Sequence, residues 1–88
     1  MTIEFSTDFK KAWKHRIAPF PKIVVRAEER IALFISNPRH SLLKNHALAG
    51  RKIQLRAFSI TGDIRIVYAP FSKTNVRLLD IGTHNQVY

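Results

Sequence analysis

His84 and Tyr88 stand four residues apart in the closing run Gly82-Thr83-His84-Asn85-Gln86-Val87-Tyr88. An imidazole titrates near neutrality and can take or give a proton. An aromatic ring beside it can stack on an unpaired base; the same ring can instead plug the edge of a core, and His84 can simply cap the turn after a strand. Arg65 is a third candidate. In the run Asp63-Ile64-Arg65-Ile66-Val67-Tyr68 the side chains alternate, so Ile64, Ile66 and Tyr68 share one face while Asp63, Arg65, Val67 and Ala69 share the other. If the isoleucines face a core, Asp63 and Arg65 lie together on the open face. They are then either a structural ion pair or, with five guanidinium donors aimed outward, a grip for phosphate.

The charge distribution favours an anionic partner. Fifteen Lys and Arg face six Asp and Glu, for a net charge of +9. Between Glu29 and Asp63 there is no acid, whereas Arg30, Arg39, Lys44, Arg51, Lys52 and Arg56 lie there with His40 and His46 among them. A block of this kind attracts polyanions, and nucleic acid is the leading class. A docking surface for an acidic protein is the alternative. Arg39, Lys44, Arg51, Lys52 and Arg56 are read as phosphate contacts. His15 has no such company.

Other chemistries find little support. No cysteine is present, so disulfides and thiolate catalysis are excluded, which fits a cytoplasmic protein. No two histidines or carboxylates stand at ligand spacing on one element, so neither a metal nor another cofactor is expected. No apolar run reaches the roughly 18 residues of a membrane span, and the first residues carry no secretory or lipidation signal.

The elements that must position these groups follow from periodicity. At 88 residues the chain is expected to form one domain. Residues 1–5 alternate as a short strand. Ser6 or Thr7 then caps a helix with Asp8 in its first turn and Phe9, Ala12 and Trp13 on its apolar stripe. Pro19 and Pro21 break it. A second helix over residues 21–36 carries Val24, Ala27, Ile31, Phe34 and Ile35 on one face, with Arg26, Glu29 and Arg30 off it, and Asn37-Pro38 ends it. Residues 38–50 are a cationic connection. Residues 53–60, 63–69 and 76–81 read as strands joined by Thr61-Gly62 and by the loop 70–75, hence antiparallel. No helix is expected after the last of them. The fold class is α+β: an antiparallel sheet with two N-terminal helices on one face, in the order β-α-α-β-β-β.

Three motifs in the second half now line up: H-x-L-x-G at His46, Leu48 and Gly50; an Arg-led strand and a turn ending in Asp63 before I-R-I-V-Y; and the closing G-T-H-x-x-V-Y. In this order and spacing, over about half the chain, they resemble the RelE superfamily of bacterial toxins, in its YafQ-type branch of mRNA interferases. The resemblance implies a type II toxin held by a cognate antitoxin. It also implies ribosome-dependent, metal-free cleavage of mRNA in the ribosomal A site through the ribose 2′-hydroxyl. It assigns functional roles to His46, Asp63, His84 and Tyr88, and in the wider family a phosphate grip to Arg65. Three positions depart from the pattern: Ser59 replaces a histidine, Ile64 a tryptophan and Asp80 an arginine.

Such cleavage needs a base for the 2′-hydroxyl, an acid for the leaving oxygen and cations for the phosphate. His46 and His84 are the acid and base candidates in either order. Asp63 is a third proton carrier or the group that orients one of them. Two rival readings remain: a ParE-like gyrase poison, which lacks the histidine and terminal aromatic set, and a non-catalytic RNA-binding module.

Overall fold

The computed structural model describes residues 1–50 and 54–88. β1 (Thr2–Phe5) leads through Ser6 into α1 (Thr7–Ala12), because Ser6 Oγ accepts the Phe9 N–H at 3.0 Å and Asp8 lies in the first turn. Both features stabilise a helix N-terminus. α1 continues as a π-helical turn (Trp13–Ile17), and α2 (Pro21–Ser36) starts afresh with a proline where the missing N–H costs nothing.

α2 buries Ala27 and Phe34, and Arg30, three residues after one and four before the other, lies half-buried on that same face rather than off it. The cationic connection is not all loop. It holds a 3₁₀ turn (Ser41–Leu43) and a two-residue strand, β2 (His46–Ala47), too short to show any periodicity. β3 (Arg56–Ser59), β4 (Ile64–Pro70) and β5 (Asn75–Thr83) follow. A final helical turn, α3 (His84–Val87), occupies residues expected to carry no helix. Its signal was local: Thr83 and Gln86 form a capping box, in which the Thr83 N–H donates to Gln86 Oε1 at 2.8 Å.

The strands form one sheet in the order β1-β5-β4-β3-β2. All neighbours are antiparallel except β1, which lies parallel to β5 with Phe5 opposite Leu78. The pleat falls as the sequence predicts, with Ile64, Ile66 and Tyr68 facing the helices. Phe34 stacks on Phe58 at 4.4 Å between centroids and meets Tyr68 edge-on at 4.8 Å, joining α2 to the centre of the sheet. A bulge at Leu79 shifts the β5 register, so that Val76 and Leu78 before it and Ile81 after it all reach this core. On the opposite face, Ala57 and Val67 are covered by Val87 of α3, with Leu48 and Leu55 alongside. Among the described residues no helix is long and apolar enough to cross a membrane.

Candidate active site

Arg65 lies near the start of the central strand β4, on the face opposite α1 and α2. Its cross-strand partners are Ser59 on β3 and Gly82 on β5, so a small side chain and a bare backbone flank the guanidinium. Beyond Gly82 the chain turns into α3, whose buried Val87 anchors it to the sheet while His84 and Tyr88 remain exposed. The two rings meet edge to face, 4.5 Å apart and at 89°. Val87, not Tyr88, is therefore the plug. Partial burial raises the Tyr88 hydroxyl above its ordinary value of 10.0, and the nearby positive charge of Arg65 opposes that shift.

Asp63 is exposed in the turn that leads into β4. There Thr61 Oγ1 accepts the N–H groups of Asp63 at 3.1 Å and Ile64 at 2.9 Å. Ile64 pairs with Thr83 at the end of the β4–β5 ladder, and Asp63 and His84 each lie one residue beyond that pair. Four of the expected residues, Asp63, Arg65, His84 and Tyr88, thus gather at one end of the sheet.

His46 lies on the same face but at the other edge. It pairs with Ala57, which pairs with Val67, two residues along the strand from Arg65. Two interstrand steps and two residues amount to about 12 Å between the His46 and Arg65 Cα atoms. His46 is exposed, and its Nδ1 lies 3.0 Å from the Lys44 carbonyl oxygen. A carbonyl oxygen only accepts, so Nδ1 carries a proton in that contact. Nε2 is then the basic nitrogen of the neutral ring.

The expected phosphate contacts divide. Arg39 and Lys44 are exposed, the latter in a left-handed conformation with φ 50° between the 3₁₀ turn and β2. Arg56 is in register with Tyr68 and so lies on the helix side of the sheet. Asn45 Oδ1 accepts both Arg56 Nε and the Tyr68 hydroxyl at 3.0 Å, while Asn45 Nδ2 donates to the Pro38 carbonyl at 2.9 Å. Strand parity already carried this, because Arg56 falls on the side of Phe58. Arg51 and Lys52 lie outside the described residues. Among the described residues no group of three or more His, Cys, Asp or Glu side chains could hold a metal ion.

Two residues at the site had not been singled out. Gln86 caps α3, and Arg16 reaches the end of β5 from the π-helical turn, where its Nη1 lies 3.1 Å from Asp80 Oδ1. Arg16 stands seven residues after Phe9 and four after Ala12, so helical spacing in the sequence carries the apolar stripe of α1 onto it. A cation on an apolar stripe was the available signal.

No protein-family model matches the chain, and no curated protein matches it. Solved structures do. YafQ from E. coli aligns over 98% of this chain and 96% of its own, with TM-score 0.81 and 22% identity. A chain of the E. coli DinJ-YafQ toxin-antitoxin complex aligns over 98% of this chain and 94% of its own, with TM-score 0.78 and 22% identity. A YoeB/ParE toxin from Agrobacterium tumefaciens aligns over 96% and 99%, with TM-score 0.77 and 17% identity. At such identities the likeness is one of fold, and the chain has the fold of YafQ and of YoeB/ParE-type toxins, as its resemblance to the RelE superfamily implied.

Proposed function

We propose that this protein is the toxin of a toxin–antitoxin pair and acts as a ribosome-dependent endoribonuclease on mRNA. The observation that carries the reading is the gathering of Arg65, His84, Tyr88 and Asp63 at one end of an open sheet face, with His46 across it. Arg65 holds the scissile phosphate. His46, with Nε2 basic, takes the proton of the 2′-hydroxyl as its oxygen bonds to phosphorus; the bond from phosphorus to the 5′ oxygen breaks, and His84 supplies the proton that this oxygen needs. Tyr88 keeps its own proton at neutral pH and offers a hydrogen bond and a stacking surface to the substrate. Asp63 serves as a third proton carrier or orients one of the histidines. No step calls for a metal.

An antitoxin partner is supported by the DinJ-YafQ complexes among the neighbours and by the +9 charge, which an acidic or extended segment would neutralise. The helix layer also presents an apolar groove of about 550 Å³ between α1 and α2, lined by Phe5, Phe9, Trp13, Ile31 and Ile35, onto which a partner can fold.

Primer extension on an mRNA incubated with purified protein, with and without translating ribosomes, tests the reading. Cuts that require ribosomes, and that slow by roughly 10² to 10⁴ in His84→Ala, are expected. Absence of cuts by folded protein on engaged ribosomes would sink it. A change in DNA topology on expression would then favour a gyrase poison, and RNA binding without cleavage a non-catalytic module.

A further inference from the structure

We propose that Arg16 is a positioning residue of this site, which locks the corner between β5 and α3 in the geometry that presents His84 and Tyr88. The catalytic consequence rests on the ribonuclease reading above; the structural one does not.

β1 covers the edge of β5 only as far as Leu78, so the backbone beyond it needs other partners. Side chains supply them. Ser6 Oγ donates to the Leu79 carbonyl at 3.2 Å, and Asp80 Oδ1 accepts the Ile81 N–H at 2.9 Å. Arg16 Nη1 donates both to the Ile81 carbonyl and to Asp80 Oδ1, each at 3.1 Å. One guanidinium thereby ties a carboxylate and the strand backbone together, with about a third of each charged side chain still exposed.

The next residue shows why this matters for the site. A Cβ on Gly82 would lie 2.5 Å from Gln86 Oε1 and 2.9 Å from Arg16 Nη1. Arg16 and Gln86 therefore share the space above Gly82, and Gln86 is the residue that caps α3 through the Thr83 N–H. The arginine bears on the cap, and the cap sets the turn on which His84 and Tyr88 stand. If Arg16 only sealed a strand edge, its loss would lower stability and leave the ring pair where it is.

The test compares wild type with Arg16→Gln, Arg16→Lys and Asp80→Asn. Nuclear Overhauser contacts between the His84 and Tyr88 rings are measured beside kcat and KM for ribosome-dependent cleavage. In folded Arg16→Gln the ring contacts are expected to weaken and kcat to fall about 10- to 100-fold with KM little changed. Arg16→Lys should recover part of both. Ring contacts that survive in Arg16→Gln overturn the proposal, whatever happens to the rate. If Arg16→Gln does not fold, Asp80→Asn carries the same readouts, since it keeps an acceptor oxygen and removes the charge that holds the guanidinium. Should wild-type protein cut no mRNA, the ribonuclease reading fails and the ring contacts still decide the role of Arg16.

Discussion

Arg65 and Tyr88 act on each other. Burial penalises the phenolate while the guanidinium favours it, and burial dominates, so Tyr88 holds its proton at neutral pH. A tyrosine-selective carbon NMR titration should place its midpoint above 10.0, and Arg65→Gln should move that midpoint further up. A folded-state value above the unfolded one means that Tyr88 adds stability that is complete below the unfolded value and is lost as pH rises through the folded one. An unchanged midpoint in Arg65→Gln would show that the guanidinium does not act on Tyr88. Much at this scale was legible. The spacing of His84 and Tyr88 and the parity of Arg65 in its strand come directly from residue order. What order could not say is that Asp63 and His84 belong to the same end of the sheet, because their neighbours Ile64 and Thr83 meet only when β4 pairs with β5.

At the scale of elements, α3 decides whether the site exists. It has four residues, far too few to hold itself in water. What holds it is Val87, 5% exposed and packed on Ala57 and Val67, together with the Thr83 and Gln86 cap. Val87→Ala removes two buried methyl-sized groups and should lower stability by about 1 to 2 kcal/mol, read from urea unfolding. It should also lower kcat, since α3 loses its anchor. Unchanged kcat would mean that α3 stays seated by the cap alone. α2 was readable to the residue because Pro21 and Asn37-Pro38 bracket it. β2 was not, since two residues show no period and its strand character comes wholly from pairing with β3.

The whole molecule is a sheet with two unequal faces. The helix face holds most of the core; the other has a small apolar patch under α3 with the candidate site beside it, and Arg39 and Lys44 are exposed cations of the connection that follows α2. Affinity for single-stranded RNA should fall with salt, and Arg39→Gln or Lys44→Gln should each reduce the slope of log K against log salt by about 0.7 for each phosphate that the side chain neutralises. Arg56→Gln should leave the slope alone and lower stability instead, because that guanidinium is tied to Asn45 behind the sheet. A slope that drops in Arg56→Gln would return it to the interface.

The sequence by itself determined the first two helices, the three longer strands and their pleat, because periodicity, caps and prolines act over a few neighbouring positions; the five candidate site residues were put forward together by the resemblance of its motifs. Only the tertiary structure decided that β1 lies parallel beside β5, that Val87 rather than Tyr88 is the plug, and that Arg16 reaches Asp80 and Gly82. Those contacts join residues more than 60 positions apart or across a sheet face. They arise from strand edges and cavities that come into being only when the sheet has closed.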